Sequence, residues 1–180
     1  MAKIFCTQGD ATRPLRLGKD KKIIAHVCND VGAWGAGFVV ALSKRWRGPE
    51  DAYRDWYSDW KEDKIGVPFH TGQIQLVAVE KNIWVANMIA QNGCRSQSNP
   101  HPLSYASLRI CLFKLCRVAK EMGADVHMPR IGCGLAGGQW EHVEANIMLA
   151  QQRYPTDVYV YDLPMTTKRR VSREIYSPQE

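Results

Sequence analysis

The sequence predicts a single α/β domain with a mixed, largely parallel sheet, and three observations carry that expectation. Short apolar runs of strand length alternate with longer stretches of helical periodicity. Two of the strands run straight into glycine-rich loops that open helices. One run, IWVANMI at 83–89, is nearly all apolar, as a strand covered on both faces should be. A chain of 180 residues fits one such domain and buries a core without disulfide staples.

In chain order, a first strand closes at Gly9-Asp10, where Asp10 can cap a short helix or accept from a base amino group. Residues 22–28 (KIIAHVC) form a buried strand that enters a loop at Asn29-Asp30. Residues 32–37 (GAWGAG) are a glycine loop, and a helix opens from it over 38–46. A second helix covers 49–63, with Pro49 in its first turn. Its Tyr53, Trp56, Tyr57 and Trp60 follow i, i+3, i+4, i+7 spacing, the mark of a core-facing stripe, although such rings could also stack a base.

Residues 73–79 and 82–89 read as two strands joined by a tight turn at Glu80-Lys81. A polar loop at 93–102 leads to Ser104, which caps an amphipathic helix. Tyr105, Leu108, Leu112, Leu115, Ala119 and Met122 form its apolar side, and Gly123 closes it. Residues 125–131 are a strand that ends in the second glycine loop, 132–138 (GCGLAGG). A helix at 140–153 and a last strand at 156–163 complete residues 1–165 as the domain. Residues 166–180, with Lys168, Arg169, Arg170 and Arg173, read as a basic C-terminal extension on the surface.

Composition excludes several classes. At 23% charged residues the chain is not of disordered type. No apolar run approaches the about 18 residues of a membrane helix. MAKIFCTQGD lacks the apolar stretch of a signal peptide, so a soluble cytoplasmic protein is expected. The net charge of +6 permits an anionic ligand, but no basic-aromatic interleaving of RNA-binding kind accompanies it. None of the six cysteines forms a C-x-x-C pair, so no zinc site and no cofactor are expected. Cys133, between two glycines, is either a nucleophile or, on balance, a turn residue.

The chemistry points to the pair of glycine loops. In an open α/β sheet, ligands bind beyond the carboxyl ends of the strands. Glycine lets backbone N–H groups approach an anion, and the following helix directs its positive end there. Two such loops on one sheet edge would grip a pyrophosphate from both sides. Neither loop is G-x-x-x-x-G-K-[ST] or G-x-G-x-x-G, so the usual nucleotide signatures are absent. Asn29 and Asp30 either reach a ligand hydroxyl or form a turn.

These residues, in this order, resemble the macrodomain family across 3–163. The matching strings are QGDAT (8–12), AHVCND (25–30), GAWGAGF (32–38), MPRIGCGLAGGQW (128–140) and VYVYDL (158–163). Within the family the chain is similar to the TARG/Poa-like (ALC-like) branch. That branch contains a terminal ADP-ribose glycohydrolase, a yeast ADP-ribose-1''-phosphate phosphatase and many bacterial and phage homologues. It does not resemble the branch with an N-A-A-N first loop.

The resemblance implies a three-layer α/β/α fold that binds ADP-ribose at the sheet's edge. It implies that Asp10 bonds the adenine amino group with the Ala11 amide beside it, and that Asn29 sits near the distal ribose. Gly35, Ala36, Gly37 and Phe38 would hold one side of the diphosphate, and Gly132, Cys133, Gly134, Leu135 and Ala136 the other. Tyr161, Asp162 and Leu163 would border the adenine end.

The implied function is a hydrolase that removes ADP-ribose from ADP-ribosylated protein, nucleic acid or a small derivative, acting as a monomer. The alternatives are an ADP-ribose-1''-phosphate phosphatase and a non-catalytic ADP-ribose reader. TARG-type hydrolysis uses a lysine and an aspartate after G-C-G-L, but here Ala136 holds the aspartate's place and 84–91 contains no lysine. Alanine is no general acid or base. The hydrolytic option is then a water oriented by the ligand's diphosphate and by Asn29 or Asp30. His26 is the remaining catalytic candidate, matched to the phosphatase-like member, against the reading of a satisfied core histidine.

Overall fold

Ten elements follow one another in a computed structural model that describes residues 1–164. They are β1 (Ile4–Gln8), β2 (Lys22–Asn29), α1 (Phe38–Arg45), α2 (Gly48–Lys61), β3 (Ile74–Glu80), β4 (Ile83–Gln91), α3 (Tyr105–Met122), β5 (Asp125–Pro129), α4 (Trp140–Arg153) and β6 (Val158–Asp162). The expected basic extension at 166–180 lies outside the described residues.

The six strands form one sheet in the order β1-β6-β5-β2-β4-β3. Every neighbouring pair is parallel except β3–β4, so the sheet is mixed and largely parallel. Period-two alternation explains the layers. On β2, Ile23 and Ala25 face α3 and α4, where they join Leu108, Leu112, Leu115, Val143 and Ile147. Ile24 and Cys28 face the other way, toward Leu42, Tyr53, Trp56 and Phe69. The sheet is thus covered on both faces, giving three layers, α/β/α. Each fully buried Leu or Ile of these cores contributes roughly 1.5–3 kcal/mol.

Local signals explain the helices. The Ser104 side chain accepts from the Ser107 amide at 3.2 Å and caps α3, while Gly123 ends it in the left-handed region at φ 67°. Tyr53 and Trp56 of α2 are buried, and the rings of Tyr53, Trp56, Tyr57 and Trp60 all surround Phe69 at 4.9–6.1 Å between centroids. Tyr53 and Trp56 are therefore core, with Tyr57 packed against it and Trp60 40% exposed at its edge, and the rings are turned to Phe69 instead of forming a platform for a base.

Several boundaries differ from the sequence reading. The hairpin turns at Lys81-Asn82 instead of Glu80-Lys81, because Asn82 takes the left-handed conformation (φ 63°) and Glu80 stays in β3. The second helix ends at Lys61, two residues early, and Asp63 follows with φ 55°. β5 stops at Pro129 because the chain turns there, the Ile131 amide bonding the Pro129 carbonyl at 2.7 Å. β6 begins at Val158, since Thr156 uses its hydroxyl on the Cys116 carbonyl across the core. Asp10 starts no helix; its Oδ1 accepts from the Thr12 amide and hydroxyl, both at 2.8 Å, in a turn. No described helix is long and apolar enough to cross a membrane.

Candidate functional site

β2 and β5 are adjacent and parallel, so the loops that follow them leave the sheet on the same edge. A cavity of about 190 Å³ opens between the loops. Ala36, Gly37 and Phe38 line it from the first loop, and Gly132, Gly134, Leu135 and Ala136 from the second. His26 forms part of its floor. Gly35, Cys133, Asp10, Ala11, Asn29, Asp30, Tyr161 and Asp162 do not line this cavity.

The first loop is held by side chains. Asn29 is only 8% exposed, and both ends of its side-chain amide are hydrogen-bonded. Its Nδ2 donates to the Ala33 carbonyl at 2.7 Å, and its Oδ1 accepts from the Val31 and Ala33 amides, both at 3.0 Å, and from the Tyr53 hydroxyl at 2.8 Å. Arg54 donates to the carbonyls of Gly32 (3.3 Å) and Trp34 (3.0 Å). Glu50 anchors Arg54 at 3.1 Å and accepts from Ser43, which accepts from the Trp34 indole. The Ser43 hydrogen bond, with Arg54, keeps the Glu50 carboxyl below its ordinary pKa. Gly32 has φ 73° and packs on the Tyr57 ring, where a Cβ would come within 2.3 Å. The amides of Gly35, Ala36 and Gly37 meet no protein acceptor among the described residues.

The second loop holds itself. The Cys133 amide bonds the Arg130 carbonyl at 3.3 Å, Gly137 bonds Gly134 at 3.1 Å and Gly138 bonds Gly132 at 2.7 Å. A Cβ on Gly138 would stand 2.6 Å from the Gly132 carbonyl oxygen. The Ala136 carbonyl accepts from the Leu103 amide at 3.1 Å, which docks the loop on the approach to α3. Among the described residues, the amides of Gly134, Leu135 and Ala136 likewise have no protein acceptor. Two rows of unbonded N–H groups bordering one cleft favour an anion with oxygens on both sides.

His26 is 2% exposed, with Nε2 2.6 Å from Asn87 Oδ1. Asn87 gives its Nδ2 protons to the Pro49 carbonyl and to Gln75, so its oxygen faces His26 and the imidazole donates. Burial lowers the His26 pKa to about 4, against the raising effect of that hydrogen bond. The ring is neutral at physiological pH and stacks edge-on against Trp34, 5.3 Å between centroids. Asp30 accepts from the Gly93 amide at 2.7 Å through Oδ1. Burial pushes the Cys133 thiol up, and its Sγ lies 3.4 Å from the Ile131 carbonyl, in keeping with a turn residue.

At the far end of the loops Ala11 packs with Tyr159, Tyr161 and Phe38. Tyr161 is 3% exposed; its hydroxyl accepts from the Leu15 amide at 2.9 Å and lies 2.8 Å from His127 Nδ1. Asp162 makes a two-point ion pair with Arg130 at 2.6 and 2.8 Å, which holds its carboxyl below the usual range. Arg130 also covers the Trp140 ring at 4.9 Å and lines the cavity. The sequence reading passed over Arg130 and Arg54, although Arg130 stands inside the string MPRIG. All six cysteines are free thiols, and no group of three His, Cys, Asp or Glu among the described residues could hold a metal.

No family model matches the chain. A macrodomain protein of Streptomyces coelicolor is 44% identical and superposes with a TM-score of 0.76, over 89% of this chain and 99% of its own. DarTG of Thermosipho africanus, solved in complex with ADP-ribose, shares the fold at 17% identity and a TM-score of 0.60, over 81% of this chain and 39% of its own. The chromodomain-helicase-DNA-binding protein 1-like of Danio rerio is 30% identical over 85% of this chain. The chain spans 15% of the length of that relative and 18% of its Mus musculus counterpart.

Proposed function

The chain belongs to the macrodomain family, and from that premise we propose that it binds ADP-ribose in the cleft between its two glycine loops. The observation that carries this reading is the pair of unbonded amide rows, Ala36–Gly37 (with Gly35 just outside) and Gly134–Leu135–Ala136, on residues that border one cavity. A diphosphate would accept from both, in charge-assisted hydrogen bonds that are stronger than neutral ones. Arg130 also lines the cavity, with its charge already paired to Asp162. Asp10 uses one carboxylate oxygen within its own turn, which leaves the other to accept from the adenine amino group beside Ala11 and Tyr161. Asn29 and Asp30 would stand toward the distal ribose, Asn29 by shaping the loop that meets it.

We assign the protein to the TARG/Poa-like branch on the string MPRIGCGL followed by tryptophan, and infer hydrolysis of an ADP-ribosyl bond in the same cleft. Water would be the nucleophile, because Ala136 supplies no carboxylate and neutral, buried His26 is a weak base. Asp30 keeps one carboxylate oxygen without a protein partner among the described residues, and that oxygen is suited to orient the water. The targets would be ADP-ribosylated protein or nucleic acid, or a small derivative, met by a cytoplasmic monomer.

Two experiments separate the parts of this reading. Calorimetry should show ADP-ribose binding that Gly134→Glu weakens by about a hundredfold, since Gly134 has open space before it and a glutamate would fill the anion site. Unchanged affinity in that variant would remove the cleft from consideration. ADP-ribosylated protein, ADP-ribosylated nucleic acid and O-acetyl-ADP-ribose are then incubated with the wild type and with Asp30→Asn. Release of ADP-ribose that the variant loses supports the hydrolase. Binding without turnover makes the chain a reader, and phosphate release from ADP-ribose-1''-phosphate makes it a phosphatase.

A further inference from the structure

We propose a second anion site at the opposite end of the sheet, one that takes a compact polyphosphate group. The proposal is independent of what the cleft binds. A cavity of about 640 Å³ lies at the amino ends of β2 and β4, lined by Arg13, Arg16, Lys22, Arg45 and Lys81 against Asp20 and Glu80. β2 and β4 are parallel, so this cavity and the cleft at their carboxyl ends lie at opposite ends of the same strands. The volume falls within the roughly 300–1,000 Å³ of small-molecule sites.

Lys22 is the informative residue. It is 7% exposed, yet no carboxylate lies within ion-pair distance of it among the described residues, and its Nζ donates only to the Lys19 carbonyl. Its register neighbour on β5 is Asp125, which is 1% exposed. Of that carboxylate, Oδ2 accepts from the Lys19 amide at 2.7 Å, while Oδ1 has no hydrogen-bond partner among the described residues and meets only Lys19 Nζ, at 3.7 Å. Burial, and after it the positive charge of Lys22, keeps nearby His127 neutral. An ammonium held this deep without a counter-ion is costly unless an anion comes to it.

The rest of the lining agrees. Arg45 and Glu80 neutralise each other at 3.2 Å, and the Trp46 indole donates to the same carboxylate oxygen. That leaves exposed Arg13, Arg16 and Lys81, with Lys22 behind them, facing the single carboxylate of Asp20. Four cations at a concave site suit a group with several charged oxygens. A group narrow enough to enter would reach Lys22, whereas the convex backbone of a nucleic-acid duplex would meet only the rim.

The probe is inorganic tripolyphosphate, titrated into the full chain and followed residue by residue in the two-dimensional amide NMR spectrum, which separates this site from the glycine loops. The expected result is saturable shifts at Lys22, Asn82 and Ile83. In Arg16→Ala/Lys81→Ala, both exposed positions, those shifts should need at least about tenfold more ligand, with the glycine-loop amides responding as in the wild type. Lys22→Met, which keeps the aliphatic stem, should abolish them; if it fails to fold, the double variant carries the test. A single-stranded oligonucleotide with and without a 5′-phosphate identifies the source: a response only with the phosphate points to a nucleic-acid end, and a response to tripolyphosphate alone points to a free polyphosphate. The proposal is overturned if the pocket amides do not move, if sulfate at equal ionic strength moves them as much, if the double variant changes nothing, or if an unphosphorylated duplex binds as well.

Discussion

In the first loop the carbonyls of Gly32, Ala33 and Trp34 are taken by side chains from β2 and α2, whereas in the second those of Gly132 and Gly134 are taken by amides of the same loop, that of Ala136 by the Leu103 amide and that of Gly137 by the His101 ring. Both arrangements leave amides without a protein acceptor among the described residues on residues that line the cavity. The difference lies in what each tolerates. A loop stapled from outside has free space at its tip, where a Cβ on Gly35 would meet nothing within 4 Å, but it depends on remote residues such as Arg54. The second loop is equally open at its tip, Gly134, but has no room where it closes, since Gly137 has φ 74° and a Cβ on Gly138 would strike backbone.

The largest test of this contrast is Gly138→Ala. Its Cβ would lie 2.6 Å from the Gly132 carbonyl oxygen, a backbone atom with little freedom to yield. A loss of about 3 kcal/mol in unfolding free energy, read from denaturant titration, is expected; a change within the error of the measurement would mean the second loop is not self-closed.

Acid should attack the first loop through its floor. His26 has its pKa lowered from 6.5 to about 4, chiefly by burial. The unfolded chain binds the proton below 6.5 and the folded chain only near 4. Stability is therefore complete above 6.5 and falls, as pH drops from 6.5 to 4, by up to about 1.4 kcal/mol per pH unit for this histidine. His127, lowered to about 3 by burial and by the Lys22 charge, adds a loss of the same sign that continues to lower pH. Denaturant titrations at several pH values check the slope, and His26→Asn should remove its share.

Smaller still is Arg54→Met, which frees the carbonyls of Gly32 and Trp34 while keeping the stem. We expect about 1 kcal/mol of lost stability, with a larger effect on ADP-ribose affinity than on the midpoint. Gly35→Ala should be the mildest, within roughly 0.5 kcal/mol by thermal unfolding. If Gly35→Ala destabilises more than Gly138→Ala, the contrast between the loops is reversed.

The sheet, its helices and both glycine loops were legible in the sequence because each rests on local pattern: a short apolar run in β2, period 3.6 in α3, a cap at Ser104 and a stop at Gly123. The turn at Lys81-Asn82 was misread by one residue, since either Glu80-Lys81 or Lys81-Asn82 fits between the strands until Asn82 takes positive φ. The site was legible at its glycines and much less so at its side chains. Asn29 and Asp30 announce a turn or a ligand equally well, and what decides Asn29 is Tyr53, 24 residues along. His26 depends on Asn87, 61 residues away on β4, and Arg130 on Asp162, 32 residues away on β6. Such partners are fixed by strand order, which local pattern does not encode. Lys22 illustrates the same limit, reading as an ordinary strand-end lysine until Asp125 is found engaged with Lys19.

The measurement that bears most directly on the central claim is the amide NMR spectrum of the chain titrated with ADP-ribose. The account predicts that the amides of Gly35, Ala36 and Gly37 and those of Gly134, Leu135 and Ala136 shift together and saturate along one binding curve. Shifts confined to one loop, or two curves with different midpoints, would contradict it.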